Sequence, residues 1–428
     1  MPGHNRHVAV QFSLPQVSVQ QPSRFVKAIP VREGSNYPAM KEVSETQGPL
    51  SGLTVIDMTR VLAGPYCTML LCDMGARVIK VEVPETGDDS RSFGPFLDGV
   101  SAYFLSLNRG KESIALDLKQ PEDRRVFDAL IRKADILVEN YRAGAMDRLG
   151  YGWDALHAAN PRLIYAAISG FGQTGPYKTR PAYDMVVQGM GGIMSVTGHP
   201  GGPPTRVGTS VGDLTAGLFA LSAINAALFE RERTGQGRMI DISMLDCQIA
   251  ILENAIARYA VTGKAPGPLG ARHPSITPFE AYATQDGHVI IAAGNDKLFQ
   301  TLAAALDRPD LADDPRFVDN NGRAAHVEAL KVELEETLTG APTAHWLSVL
   351  DAAGVPNGPI NDVAQALNDP QVRARNMVVE MHDPDGPSLT MAGNPIKMSG
   401  VADPADRPPA PKLDADRARI LAELGIED

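Results

Sequence analysis

Short apolar runs alternate with helical segments between residues 53 and 169, and this alternation restricts the possible folds more than any other feature of the chain. Strands that alternate with helices predict a parallel sheet in an α/β fold. Ligands of such sheets bind at the carboxyl ends of the strands, where this chain places polar loops. The predicted strands are Leu53–Asp57 (LTVID), Arg77–Glu82 (RVIKVE), Ser113–Leu118 (SIALDL), Ala134–Glu139 (ADILVE) and Arg162–Ser169 (RLIYAAIS).

The first strand is followed by a predicted helix from Ala63 to Met74, and the two form half of a β-α-β unit. The glycine pattern GxGxxG does not occur between them. Because that pattern brings the backbone close to a dinucleotide pyrophosphate, its absence argues against a nicotinamide-dependent oxidoreductase.

The second half of the chain changes in composition after residue 262. Met239–Ser243 is predicted as a strand and Leu245–Val261 as one long helix. The Gly- and Pro-rich segment Gly263–Pro278 predicts a linker. A second, smaller domain is then expected, with a hairpin at Phe279–Ala293, helices at Asp296–Leu306, Arg323–Leu338 and Thr343–Ala353, and a terminal helix at Ala415–Leu424.

Asp213 is the main candidate for chemistry. It follows Gly212 and precedes a helix whose predicted buried face carries Leu214, Leu218, Leu221, Ile224 and Leu228, with Gly235 at its end. The helix dipole is expected to favour the ionised carboxylate, as a carboxylate nucleophile requires. An aspartate before a helix also serves commonly as an N-cap, and spacing alone leaves both roles open.

Composition excludes several classes of protein. The chain has 428 residues with 40 Lys and Arg against 51 Asp and Glu, a net charge of −11, and no long basic run, so nucleic acid is not an expected partner. We find no apolar run of the roughly 18–20 residues that span a bilayer and expect no membrane partner. Three scattered cysteines and nine histidines without ligand spacing predict neither disulfides nor a metal site, which suits a reducing cytoplasm.

Residues 1–47 are acid-poor and contain Pro15, Pro22 and Pro30. A mitochondrial presequence is one interpretation, but prolines break the amphipathic helix that such a peptide forms. We therefore predict a disordered tail, or a start at Met40, and prefer the cytoplasm over the mitochondrial matrix.

Several segments together resemble the class III CoA-transferases, which include carnitine and bile-acid CoA-transferases. They are PLSGLTVIDMTRVLAGPYC, GARVIKVE, GDDSR, LNRGKESIALDLK, ADILVENYRAGAMDRLG, SGFGQTGP, VGDLTAG and TGQGRMIDISM, and they keep the family's order from Pro49 onward.

The resemblance implies an interlocked homodimer. Each chain is expected to have a Rossmann-like large domain built from both chain ends and a smaller α+β domain. The expected boundaries are a tail at 1–47, the first part of the large domain at 48–245, a linker helix and loop at 246–278, the small domain at 279–365, and a return to the large domain at 366–428.

The family's nucleophile is the aspartate of a Gly-Asp motif, here Asp213, which favours the nucleophile over the simple N-cap. The resemblance implies that this carboxylate attacks an acyl-CoA thioester, giving a mixed anhydride and then an aspartyl-CoA thioester. Main-chain N–H groups near Gly212 and Gly270 are expected to stabilise the oxyanions. No metal or prosthetic group is expected, since CoA thioester is the co-substrate.

CoA-contacting positions carry over from the family one by one. Arg142 and Arg148 suit the CoA phosphates through charge-assisted hydrogen bonds, although Arg142 also fits a solvated charge at a helix start. Tyr183 also fits an ordinary packed aromatic residue. The positions are Leu62, Ala63, Leu116, Asp117, Leu118, Lys119, Asn140, Tyr141, Arg142, Arg148 and Tyr183.

The predicted substrate depends on positions at which this sequence differs from particular members of the family. A formyl-CoA transferase has glutamine at the position of Leu62 and arginine at that of Val83, so both residues argue against oxalate or formate chemistry. The short loop with Gly270, Arg272 and His273 resembles succinyl-CoA:glutarate (hydroxymethylglutarate) transferases. Arg272 or His273 is expected near the acyl carboxylate, with a loop-stabilising histidine as the alternative.

These residues predict a CoA-transferase that moves CoA from a short-chain acyl-CoA, with succinyl-CoA preferred, to a small dicarboxylic acid. One alternative is an α-methylacyl-CoA racemase. Racemases have a histidine where Tyr183 stands, because they need a second acid–base group on the α-carbon. The other alternative is a catalytically inactive CoA-binding protein.

Overall fold

The computed structural model describes residues 48–384 and 386–427, so the predicted tail at 1–47 lies outside the described residues. The strands are β1 (Thr54–Met58), β2 (Arg77–Glu82), β3 (Phe96–Leu97), β4 (Val100–Ser101), β5 (Glu112–Ala115), β6 (Ile136–Glu139), β7 (Ile164–Ser169), β8 (Met239–Ser243), β9 (Phe279–Ala283), β10 (His288–Ala292), β11 (Asn357–Pro359), β12 (Val378–Met381), β13 (Leu389–Ala392) and β14 (Asp406–Arg407).

The α-helices alternate with these strands in the first half and cluster after β10 in the second. They are α1 (Ala63–Asp73), α2 (Ala102–Asn108), α3 (Pro121–Lys133), α4 (Ala145–Leu149), α5 (Trp153–Ala159), α6 (Asp184–Met190), α7 (Ile193–Val196), α8 (Val211–Thr234), α9 (Met244–Ile251), α10 (Asn254–Thr262), α11 (Asp296–Ala305), α12 (Pro309–Asp313), α13 (Asn320–Ala325), α14 (Val327–Leu338), α15 (Thr343–Ala353), α16 (Val363–Asn368), α17 (Pro370–Ala374) and α18 (Arg417–Leu424).

The main sheet has six strands in the order β5-β2-β1-β6-β7-β8, and every neighbouring pair is parallel. Chain order runs outward from β1 to β2 and β5, then returns to the other side of β1 at β6. This is the strand order of a Rossmann-type doubly wound sheet, with its topological switch point between β1 and β6. The predicted α/β class and parallel sheet are confirmed.

The two faces of the sheet pack on different helices because successive side chains of a strand point to opposite faces. In β1, Val55 belongs to the core shared with α1 and α8, and Ile56 belongs to the core shared with α3. Ile420 and Leu421 of α18 join the α3 side. The carboxyl end of the chain therefore completes the large sheet, as the family resemblance implied.

A second group of elements has a core of its own. The antiparallel sheet β11-β10-β9 packs with α11, α14 and α15 around residues such as Tyr282, Phe299 and Leu334. The predicted hairpin is present as β9 and β10, paired from Phe279 with Ala292 to Ala283 with His288. A further three-stranded sheet, β13-β12-β14, lies between this group and α18 in the sequence. The exact domain boundaries stay predictions.

Three helix predictions need correction. The predicted helix Leu245–Val261 is interrupted at Glu253, whose φ of 33° leaves helical geometry, so α9 and α10 are separate. The predicted helix Arg323–Leu338 is likewise two helices, α13 and α14. The buried face of α8 carries Ala216, Ala220, Leu221, Ile224 and Ala227, and it leaves Leu218 exposed.

Helix α8 is also long and apolar enough, by length and composition alone, to count as a possible membrane span. The expectation that no run reaches that length is therefore wrong by this measure. A helix packed inside a folded domain has the same properties, and α8 packs on α1 closely enough that a Cβ at Gly217 would lie 2.7 Å from the carbonyl oxygen of Ala63.

Candidate functional site

A cavity of about 170 Å³ opens at the carboxyl edge of the main sheet, at the switch point between β1 and β6. The loop after β1, the loop after β6 and the segment before α6 form its walls, and Asp213 of α8 lines it. The lining residues include Arg60, Val61, Leu62, Ala63, Asp89, Asn140, Tyr141, Arg142, Gly170, Lys178, Arg180, Tyr183, Asp213 and Met244.

A larger cavity of about 680 Å³ adjoins the first, since Arg142 and Lys178 line both. Its wall includes α4 with Arg148, the start of α5, and the buried Glu139 at the end of β6. Arg142 and Lys178 line both cavities, Arg148 lines the larger one, and the carboxyl group of Asp213 lies in the smaller one. An elongated anionic ligand that reaches Asp213 with one end matches this placement of charge.

Asp213 occupies the third position of α8, and Ser210 is the N-cap. Asp213 is therefore not the N-cap residue, and Ser210 makes no side-chain capping hydrogen bond, so the simple N-cap role is wrong. The backbone N–H of Gly212 instead donates to Oδ1 of Asp184 at 2.8 Å. A Cβ at Gly212 would lie 2.7 Å from Cγ2 of Val187 and 3.0 Å from that Oδ1, so only glycine allows this approach.

The environment of Asp213 favours its neutral form. Burial, and then the negative charge of Asp184, raise the pKa of the Asp213 carboxyl group to about 7. The expected preference for the ionised carboxylate is wrong, because burial and the charge of Asp184 both favour the neutral carboxyl group. Near neutral pH a large fraction of Asp213 remains ionised, and a poorly solvated carboxylate is a stronger nucleophile than a hydrated one.

The expected oxyanion donors are already in use. Gly212 donates its N–H to Asp184, and Gly270 donates its N–H to the carbonyl oxygen of Gly198 at 2.8 Å. These two N–H groups therefore do not supply the expected oxyanion site in this conformation.

The predicted CoA contacts Leu62 and Ala63 lie in the cavity wall, and Leu62 is the N-cap residue of α1. Asn140 holds the loop that follows β1 and precedes α1. Its side chain donates to the carbonyl oxygen of Arg60 at 2.7 Å and accepts from the N–H of Arg60 at 2.9 Å. Tyr141 and Arg142 line the same cavity. These five predicted positions are brought together with Asp213.

Tyr183 lines the cavity with an exposed fraction of 77%. An exposed ring is not an ordinary packed aromatic, so that alternative is wrong. The segment from Leu116 to Lys119 lies outside the lining of both cavities: Leu116 and Leu118 are buried in the core on the α3 side, and Asp117 accepts from the N–H of Lys119. The structure does not bring this segment together with Asp213.

The predicted substrate loop is also separate from the cavity at Asp213. Nδ1 of His273 accepts from the N–H groups of Ser275 and Ile276 at 3.1 and 3.0 Å, and its ring stacks on Phe279. His273 therefore stabilises its own loop. Arg272 pairs with Glu328 at 3.4 Å, and neither residue lines either cavity described above.

Four further residues at or near the site were not found from the sequence. Arg60, Lys178 and Arg180 line the cavity, and Lys178 and Arg180 stand just before the AYD segment that contains Tyr183. Tyr103 lies close enough for Asp213 to help burial raise the pKa of its hydroxyl to about 12. The two basic residues of the segment Lys178-Thr179-Arg180 were the available sequence signal, whereas nothing in the local sequence marks Tyr103.

Metal ligands are not grouped in the part of the chain that the structure describes: no three His, Cys, Asp or Glu side chains lie together there. That no metal takes part stays a prediction.

Comparison with known proteins now decides the family. The model of CoA-transferase family III matches residues 50–417. The chain belongs to CoA-transferase family III. It is 51% identical to an acetyl-CoA:oxalate CoA-transferase from Acetobacter aceti, over 90% of this chain and 98% of that one. It is 42% identical to a succinate–glutarate CoA-transferase from Agrobacterium fabrum, with the same coverage of 90% and 98%.

A solved CAIB/BAIF family protein from Brucella suis has a TM-score of 0.78 and 42% identity, over 89% of this chain and all of that one. The family III CoA-transferase described here is therefore an enzyme of a known fold and class.

Proposed function

We propose that this enzyme transfers CoA from a short-chain acyl-CoA to a small dicarboxylic acid, with Asp213 as the nucleophile. The observation that carries the proposal is the position of the Asp213 carboxyl group, which lines a cavity at the switch point of the sheet together with Leu62, Ala63 and Asn140. Ligands of doubly wound sheets bind at this point.

The reaction follows in four balanced steps. An oxygen of Asp213 attacks the thioester carbonyl carbon, the C–S bond breaks, and CoA leaves as the thiolate. The thiolate attacks the Asp213 carbonyl carbon of the mixed anhydride and releases the donor acid. The acceptor carboxylate attacks the resulting aspartyl thioester and forms a second anhydride with release of thiolate. The thiolate then attacks the acceptor's carbonyl carbon, which frees Asp213 and the new acyl-CoA.

The arrangement of charge supports CoA as the common ligand. Arg142, Arg148 and Lys178 line the larger cavity and suit phosphate groups, which bind guanidinium and ammonium donors strongly. Asp213 lies in the adjoining, smaller cavity, where the thioester end of the same molecule is needed. No metal or prosthetic group enters any of the four steps.

The dicarboxylate class rests on two observations. The relatives compared above are named for oxalate and for succinate with glutarate, which are all dicarboxylic acids. The cavity at Asp213 also contains Arg180 beside Lys178, whereas Arg60 is paired with Asp89 at 3.0 Å. A second carboxylate on the substrate would bind Arg180 or Lys178.

We also propose that the enzyme works as a homodimer. Helix α10 contains no buried residue, although Ile256, Tyr259 and Val261 are apolar and Val261 is 87% exposed. Such a helix is stable when a partner covers its apolar face. A second copy of this chain is the occupant that we infer, in line with the interlocked dimer that the family resemblance implied.

Product analysis tests the function directly. The enzyme is mixed with succinyl-CoA or acetyl-CoA and a panel of mono- and dicarboxylic acids, and the acyl-CoA products are identified by mass spectrometry. We expect new acyl-CoA with dicarboxylic acids, trapping of the Asp213 acyl group by hydroxylamine, and no exchange by Asp213→Ala. Full exchange by that variant would overturn the role of Asp213. Inversion at an α-methyl carbon without acyl exchange would instead identify a racemase.

A further inference from the structure

Val61 has a backbone conformation that its side chain disfavours. Its φ is 67°, and a β-branched residue rarely adopts a positive φ because Cβ then crowds the backbone. Val61 also lines the cavity that contains Asp213 and directly precedes Leu62, the N-cap of α1. A strained residue persists only where the surrounding structure holds it, and such strain is often found at functional sites.

The group that holds Val61 is Asp88. Oδ1 of Asp88 accepts from the N–H of Val61 at 3.0 Å, and also from the N–H and hydroxyl of Ser90 at 2.9 and 2.8 Å. The Asp88 side chain is fully buried, although it lies on the segment after β2 and not on the strained loop. A buried carboxylate that bonds a backbone N–H is a strong and directional restraint.

Lys80 completes the restraint from the neighbouring strand. Its Nζ lies 2.8 Å from Oδ2 of Asp88 and donates to the carbonyl oxygen of Thr59 at 2.7 Å, and its side chain is also fully buried. Although burial lowers the pKa of Lys80, the charges of Asp57 and Asp88 outweigh burial and raise it, so Lys80 stays a cation. The loop is thus held at Thr59 by Lys80 and at Val61 by Asp88.

We propose that Asp88 and Lys80 are positioning residues for CoA transfer: they hold the loop from Thr59 to Val61 in its strained form and so place the start of α1 against the acyl-CoA opposite Asp213. The inference rests on the proposed function, because the loop's ligand is the CoA thioester. It assigns a catalytic consequence to a buried ion pair that touches neither substrate nor nucleophile.

The test is a comparison of Asp88→Asn in two backgrounds, the wild type and the Val61→Gly variant. Asparagine has a single acceptor oxygen, so it cannot serve Val61 and Lys80 together. In the wild-type background we expect kcat/KM for the acyl-CoA donor to fall about tenfold, a loss typical of a released backbone strain. Glycine at position 61 adopts a positive φ without strain, so Asp88→Asn made in the Val61→Gly background should lower kcat/KM only about twofold.

Two controls separate positioning from general damage. Asp73 forms a buried ion pair with Arg109 away from the cavity, so Asp73→Asn should lower Tm with kcat/KM unchanged. Ser90→Ala removes one hydrogen bond from Oδ1 of Asp88 and is the milder variant to use if Asp88→Asn does not fold. It should lower kcat/KM about two- to threefold in the wild-type background and not in the Val61→Gly background, by the same release of strain.

The outcomes are distinct. Equal losses in the wild-type and Val61→Gly backgrounds, or a folded Asp88→Asn enzyme with unchanged kcat/KM, would overturn the positioning role. Wild-type enzyme without any CoA transfer would overturn the proposed function instead, before any variant is compared.

Discussion

Asp213 lies partly buried in the first turn of α8, beside Asp184, and its pKa is raised to about 7. In the unfolded chain the same carboxyl group has a pKa near 3.8. Folding therefore holds a group in an environment that opposes its charge. A carboxylate kept in this way is reactive, and the protein is less stable for it.

A stability measurement follows from this difference in pKa. With the folded-state pKa above the unfolded one, the contribution of Asp213 is fully present below about pH 4 and is lost as pH rises through about 7. Asp213→Asn cannot ionise, so at high pH its free energy of unfolding should exceed that of the wild type by up to ~4 kcal/mol. Thermal unfolding should show the variant more stable than wild type at pH 8, with the gain absent at pH 4. An equal difference at both pH values would contradict the raised pKa.

The same pKa predicts a rate profile. Without an acceptor acid, the first acylation of Asp213 should rise with pH through about 7, because only the carboxylate attacks. Asp184→Asn removes the charge that adds to burial, so the acid limb should move to lower pH. Release of the donor acid in single turnover, which follows the first acylation, measures this step. Asp128→Asn is the matched control, since Asp128 bonds Tyr151 instead, and its profile should equal that of the wild type.

At the scale of elements, the main sheet ends at β5, and the carboxyl end of the chain covers this edge. Asp416 accepts from the N–H of Ser113 at 2.8 Å, and Asp414 accepts from the N–H of Ala115 at 2.7 Å. An uncovered edge strand offers unpaired backbone groups to other chains. The terminal segment therefore protects the sheet as well as completing its core.

Replacing both carboxylates tests the edge. Asp414→Ala with Asp416→Ala leaves two edge N–H groups unpaired and should lower the free energy of unfolding by roughly 1–3 kcal/mol for each. Urea unfolding measures the loss, and light scattering should show aggregation of the variant on warming. Asp362→Ala removes only a capping box on α16, so it should destabilise without aggregation. Aggregation of that control alone would contradict the edge argument.

Helices and strands could be predicted from the sequence more accurately than the pKa values of the side chains on them. β2 has the predicted ends, since alternation and burial are local properties that a strand carries in its own residues. The break at Glu253 was missed because nothing in its local pattern opposes a continuous helix. The pKa of Asp213 could not be inferred, because Asp184 contributes from another helix and only the fold brings the two together.

Some residues of the site could be predicted from the sequence, and others could not. Asn140 and Leu62 were found through the family resemblance, and the structure places both in the cavity wall because the carboxyl ends of parallel strands meet at one edge. Tyr103 reaches the site from a segment after β2 and has no local sequence signal, whereas Asp88 belongs to the GDDSR segment, which the resemblance singled out without giving this residue a role. His273 was singled out by resemblance, yet its contacts are with its own loop. Tertiary contacts decide such cases.

At the scale of the molecule, the apolar surface of α10 predicts association. Ile256→Glu with Tyr259→Glu would place two charges where we propose that a second copy packs, and a desolvated unpaired charge costs several kcal/mol. Sedimentation should show a dimer for wild type and a monomer for this variant at micromolar concentration. Val332 is equally apolar and exposed on α14, so Val332→Glu is the matched control and should remain a dimer. A wild-type monomer would contradict the proposed dimer, while a dimeric double variant would move the interface away from α10.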